Sequence, residues 1–160
     1  MLSQTSQYAL RTVLHLAGLP AGVRGSAVEL AGSMGIPHNY LSKTLHQLAR
    51  AGVVAGTRGK HGGFVLARPP HRITLVEVVA PFQDVGARSC LLGRPRCSDV
   101  RPCPVHAHWK DVAQRVAEFF SGTTVEDLMT APDGDPVAEA LGIEMKKGSR
   151  RSHDGLARSR

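Results

Sequence analysis

Aromatic side chains are scarce in this 160-residue chain, which has one Trp, two Tyr and four Phe. A core must therefore be filled by Leu, Val and Ala, and the length supports one domain or a small domain with an accessory segment. No apolar run is long enough to span a membrane. The opening stretch MLSQTSQYALRTVLHLAG carries Arg11 and His15 within its apolar part and has no charged leader. That argues against a signal peptide and for a cytoplasmic protein. Cysteine is almost absent: Cys90, Cys97 and Cys103 are all there is, and they share one loop. In a reducing compartment such thiols serve as ligands or sensors more readily than as structural disulfides. Catalytic pairings are missing too. No nucleophile sits beside a base in a recognisable turn, and the carboxylates are scattered through the second half, so nothing points to an enzyme.

Acidic residues are in deficit, 13 against 20 Lys and Arg, and the imbalance is uneven. Residues 1–80 hold eight Lys/Arg and two acids; residues 81–145 hold six and ten; the last fifteen hold six and one. A basic front half, an acidic second half and a basic end suit a polyanion-binding module joined to something else.

The spacing of Leu10, Val13, Leu14 and Ala17 predicts a helix over 5–19 with that face buried. Ser26-Ala-Val-Glu29 is a capping box. It opens a short helix in which Val28, Ala31 and Met34 are expected to face inward. Gly35-Ile36-Pro37 makes a turn into a second helix, about 37–51, burying Leu41, Leu45 and Leu48. Its other face offers His38, Asn39, Ser42, Lys43, His46 and Gln47, donors and acceptors suited to base edges and phosphates, with Tyr40 beside them. Two helices about a glycine turn form a helix-turn-helix. Two short strands follow, 53–57 and 64–67, joined by Arg58-Gly-Lys60-His61-Gly-Gly. A basic, glycine-rich hairpin directly after a helix-turn-helix is a wing, and Arg58, Lys60 and His61 can reach phosphates or a minor groove.

After Pro69-Pro70, Thr74-Leu-Val-Glu77 caps a helix near 75–82. A long helix begins near Pro104, with Val105, Trp109, Val112, Val116 and Phe119 along one side as a heptad-like seam. Such a seam packs either on its own domain or on a partner helix. Ser121-Gly122 ends it, and Thr123-Thr-Val-Glu126 caps one more short turn. From Ala131 onward the chain reads as loop, a weak helix in PVAEALGIEM and a flexible basic tail.

The cysteines and His106 are spaced C-x6-C-x5-C-x2-H among Gly, Pro, Arg and Ser. Three thiolates and an imidazole could hold iron–sulfur or zinc. Three idle thiols in a polar loop satisfy the spacing equally well.

SQYALR, GIPHNYLSKTLHQLARAGVV and RGKHGGFVLA, followed by CPVHAHWKDVAQRVAEFFSGTTVEDLM, resemble the Rrf2 family of bacterial winged-helix regulators over about residues 1–130. The resemblance implies a mainly α fold with a small β-hairpin wing: a winged helix-turn-helix over 1–82, a cysteine-containing loop over 83–103, and a long C-terminal dimerisation helix with a short terminal helix over 104–130. Residues 131–160 form the tail. It implies a homodimer on a double-stranded promoter operator, with no membrane association. Members of the IscR and NsrR kind hold an iron–sulfur cluster, which implies Cys90, Cys97, Cys103 and His106 as ligands. Gln7, standing where NsrR-like members have an aspartate ligand, favours His106 and a 2Fe–2S over a 4Fe–4S cluster. Arg88, Arg94, Arg96 and Arg101 would offset thiolate charge. The expected function is a DNA-binding transcriptional regulator, a repressor, sensing nitric oxide, redox state or cluster supply. The alternatives are a regulator of the same fold with zinc or no metal acting through thiol oxidation, and a winged-helix protein-interaction subunit that does not bind DNA.

Overall fold

Ser3 begins the first helix: its hydroxyl accepts the Ser6 N–H, satisfying one free donor of α1 (Gln4–Gly18). This computed structural model describes residues 2–57, 59, 62–85, 90–93 and 98–129. The expectations for 131–160 lie outside them. The buried face of α1 runs through Ser6, Ala9, Thr12, Val13 and Leu16. It is rotated from the expected stripe, whose Leu10, Leu14 and Ala17 are half-buried along its flank. Polar residues are tolerated there because they carry local partners. Thr12 donates to the Tyr8 carbonyl at 2.7 Å, and the Ser6 and Ser3 hydroxyls are 2.9 Å apart.

The capping box of Ser26 and Glu29 forms in both directions and opens α2 (Ala27–Met34). Its inward face is Leu30, Ala31 and Met34, with Ala27 packed on the same core, whereas Val28 is 67% exposed. The i, i+3, i+4, i+7 set therefore begins at Ala27, which leaves Val28 roughly a third of a turn away. Gly35 closes the helix at φ +62°, a left-handed conformation that glycine adopts without a Cβ penalty. Buried Ile36 and Pro37 lead into α3 (His38–Arg50), whose Leu41, Leu45 and Leu48 enter the core as expected.

The wing strands β1 (Val54–Thr57) and β2 (Gly63–Leu66) are antiparallel, with Val54 opposite Leu66 and Thr57 opposite Gly63. A third, one-residue strand joins them: Gly25 exchanges both backbone hydrogen bonds with Phe64, at 3.0 and 2.9 Å. Glycine is required there by space. A Cβ at position 25 would lie 2.8 Å from a Leu16 methyl and 3.1 Å from one of Leu30.

A short 3-10 turn at Pro70–Arg72 precedes α4 (Leu75–Val79), capped by Thr74 and Glu77 as expected. The helix stops three residues earlier than the sequence reading has it, and the chain turns through Phe82. Arg68 reaches back to Glu77 at 2.9 Å and ties the end of the wing to this cap. Two helices complete the described chain, α5 (His106–Gly122) and α6 (Val125–Met129). The cap of α6 is Thr124, paired with Asp127, rather than Thr123, which closes α5. Around it the chain is stitched to the start of α4. Leu75 N–H donates to Thr123 at 2.9 Å, Val125 N–H to Ile73 at 2.9 Å, and Val125 is wholly buried in the core. No helix among the described residues is long and apolar enough to cross a membrane.

Replacing Gly25 by Val is expected to lower stability by about 1–3 kcal/mol through overpacking against Leu16 and Leu30. Urea unfolding would measure it, with Gly32→Ala, whose Cβ meets nothing within 4 Å, as the neutral or slightly stabilised control. Equal midpoints for the two variants would refute the packing argument.

Candidate functional site

The core leucines of α3 turn its other side outward. His38, Asn39, Lys43 and Gln47 are exposed there, and Ser42 is half-buried. Two neighbours are engaged by the protein itself. Tyr40 packs edge-on against Tyr8 at 5.6 Å, and its hydroxyl bonds Thr5, so it braces α3 on α1. His46 lies edge-on to Phe64 of β2 at 6.3 Å, with Nδ1 2.7 Å from the Ser42 carbonyl. A carbonyl only accepts, so Nδ1 carries a hydrogen in this contact.

Arg58, Lys60 and His61 lie outside the described residues; the strands ending at Thr57 and starting at Gly63 bracket their loop. One cation beside the wing is missed by sequence reasoning. Arg24, an isolated basic residue in AGVRG, donates to the Thr57 hydroxyl at 2.8 Å. None of the ion pairs among the described residues includes Arg24 or Lys43. The acids of this half are occupied in caps. Glu29 sits in its box, and Glu77 is pushed up by burial but held below the usual carboxylate range by the Thr74 N–H, Arg68 and the Thr74 hydroxyl. The basic front is therefore largely uncompensated.

At the cysteine loop, Cys90 and Cys103 are half-buried, and Cys97 lies outside the described residues. The Cys103 carbonyl accepts the His106 N–H at 2.9 Å, a tight turn that delivers His106 as the first residue of α5. Pro104 and Val105 thus precede the helix rather than lying inside it. His106 is 8% exposed, while Val105, Ala107 and His108 around it face outward. Its Nε2 lies 3.0 Å from Asp99 Oδ1, and the same oxygen accepts Lys110 Nζ at 2.8 Å. The Lys110 hydrogen bond, then that of His106, holds the Asp99 carboxyl below its usual range. Asp99 is absent from the expected set; its one signal in the sequence is a carboxylate set between Cys97 and Cys103 in an arginine-rich loop. Among the described residues no group of three or more His, Cys, Asp or Glu side chains is arranged to hold a metal ion.

The helix that starts at His106 has two working sides. His106 and Ala113 are buried, and α5 packs on α4. Along the expected seam Val105, Val112, Val116 and Phe119 are 40%, 48%, 42% and 55% exposed, and Trp109 is half-buried. Four of these five large apolar groups are thus exposed to solvent.

A family model, Rrf2, described as "Iron-dependent Transcriptional regulator", matches residues 2–131. The chain is 36% identical over 132 residues to an HTH-type transcriptional regulator of Aquifex aeolicus, covering 81% of this chain and 91% of that protein. It is 29% identical over 130 residues to the HTH-type transcriptional regulator IscR of Vibrio parahaemolyticus, covering 81% and 77%. Among solved structures, CymR (YrzC), the global cysteine regulator of B. subtilis, superposes with a TM-score of 0.68 at 24% identity, covering 80% of this chain and 95% of that one. IscR of T. potens superposes with a TM-score of 0.67 at 20% identity, covering 86% and 90%. These structural likenesses speak for the winged-helix fold.

Proposed function

The chain belongs to the Rrf2 family of DNA-binding transcriptional regulators and is not an enzyme, and on that premise we propose that it is a homodimeric repressor governed by an iron–sulfur cluster on Cys90, Cys97, Cys103 and His106. His106 carries this reading. Its imidazole is buried at the end of the cysteine loop, one turn from Cys103, with a carboxylate on one nitrogen, while the neighbouring His108 is exposed. A ligating histidine is characteristically backed in this way by a carboxylate. The donor set also fits by chemistry: half-buried thiols become soft thiolate ligands, and the imidazole completes four. The description of the family as iron-dependent and the likeness to IscR support iron over zinc. Gln7, exposed and bonded to the Leu2 carbonyl, is a poor ligand, which favours His106 and a 2Fe–2S cluster.

A bound cluster supplies a centre that reacts with nitric oxide and oxidants. The protein's own part is mechanical. His106 opens α5, and the far end of α5 is stitched to α4 through Thr123. A change at the loop is thus delivered to a helix that packs on the DNA-binding body. The exposed seam of Val112, Val116 and Phe119 would bury against a second copy and set the separation of two α3 helices on a two-fold operator. His38, Asn39, Ser42, Lys43 and Gln47, with Arg58, Lys60 and His61 of the wing, would make the DNA contacts. His46 and Tyr40 would act partly as braces.

A second reading, thiol oxidation with zinc or no metal, draws on the accessibility of Cys90 and Cys103 and on the solved CymR of Staphylococcus aureus, known in an oxidised form. The absorption spectrum of protein purified without oxygen separates the two. The cluster reading expects a red-brown protein with stoichiometric iron and sulfide; a colourless protein containing zinc or no metal would sink it.

The seam is tested by Val116→Asp, which should convert the dimer to monomers in sedimentation and weaken operator binding. An unchanged dimer would remove α5 from the interface. Lys43→Ala should weaken binding to duplex DNA and lower the slope of log K against log salt by roughly one. Identical slopes would mean that Lys43 makes no phosphate contact.

A further inference from the structure

We propose that Asp99 is a positioning residue for the metal-binding histidine, holding the Nε2–H of His106 so that Nδ1 offers its lone pair to the metal. This rests on the reading of His106 as a ligand and deepens it by naming the ligating atom.

The chemistry follows from what each group can do. An aspartate at neutral pH only accepts hydrogen bonds, and Asp99 Oδ1 already takes Lys110 Nζ at 2.8 Å. The contact of 3.0 Å between this oxygen and His106 Nε2 therefore needs hydrogen on Nε2. A metal takes a lone pair and so needs the neutral imidazole, which carries one N–H; with that hydrogen on Nε2, the lone pair is on Nδ1. Ligation through Nε2 would require Asp99 to leave; ligation through Nδ1 leaves the contact intact.

The surroundings favour retention. His106 is buried, so rotating its ring away from Asp99 would leave a shielded N–H without its acceptor. Lys110 stands four residues after His106, on the same side of α5, and fixes the same carboxylate oxygen. Asp99 and Lys110 are 72% and 58% exposed in their side chains, so as an ion pair they contribute little to folding. A merely structural purpose is thus a weak reason for the arrangement, whereas orienting a ligand is a strong one.

Two measurements test the proposal. In metal-free protein, nitrogen NMR of the histidine rings should find His106 as the Nε2–H tautomer. Asp99→Ala should mix the tautomers, and Asp99→Asn, which keeps an acceptor oxygen, should largely restore the wild-type signal. In cluster-loaded, reduced protein, isotopic labelling of histidine at Nδ1 should alter the strong nitrogen coupling in pulsed electron paramagnetic resonance, and labelling at Nε2 should not. Asp99→Ala should also lose its cluster faster in air, on the order of tenfold, with partial rescue by Asn. Strong coupling from Nε2, or a tautomer unmoved by Asp99→Ala, overturns the proposal. A cluster with no histidine coupling overturns the ligand reading beneath it, and the metal-free measurement tells that failure from this one.

Discussion

The backbone pairing around Thr74 and Thr124 is the constraint on which the arrangement of this molecule depends. Two hydrogen bonds, Leu75 to Thr123 and Val125 to Ile73, join the end of α5 to the segment that opens α4. Both lie beside a wholly buried Val125, away from competing water, where an unmade backbone bond is costly. The pairing makes α5 an extension of the DNA-binding body instead of a tethered appendage. Arg68 adds a second tie, joining the end of the wing to the α4 cap through Glu77.

Given that anchor, the division of labour along α5 follows from its two sides. Small Ala113 lets the helix lie close to its own domain, while Val112, Val116 and Phe119 project away from it. An exposed apolar row of this size is a surface suited to a protein–protein contact. The first turn belongs to the cysteine loop, through His106, Asp99 and Lys110. Loop chemistry and the outward row therefore share one rigid element about seventeen residues long.

The local signals were readable because each is complete within a few residues. Ser26 with Glu29 and Thr74 with Glu77 are reciprocal boxes whose partners are three apart, and both form as read. Gly35 marks its turn by the φ it must adopt, and the leucines of α3 follow a helical period that leaves one choice of buried side. The errors share a cause as well. Val28 fits the apolar period nearly as well as its neighbours, and only the three-dimensional core, which takes Leu30, leaves it outside. The buried face of α1 is rotated from its apolar stripe because Ser6 and Thr12 enter the core on hydrogen bonds that hydrophobic periodicity does not register. Thr123 and Thr124 are indistinguishable as caps until one of them closes the preceding helix.

The sequence by itself determined the order of elements, the helix-turn-helix, the hairpin wing and the seam on α5, because caps, turns and periodicity act between residues close in the chain. Tertiary structure decided what depends on distant partners. Gly25 becomes a strand only because Phe64 lies beside it, 39 positions on in the chain. Tyr40 braces α3 against α1 because Tyr8 and Thr5 meet it there. Asp99 becomes the partner of His106 because the loop folds back onto the first turn of α5. Contacts of that kind leave no period in the chain; they exist only once the fold has brought their two ends together.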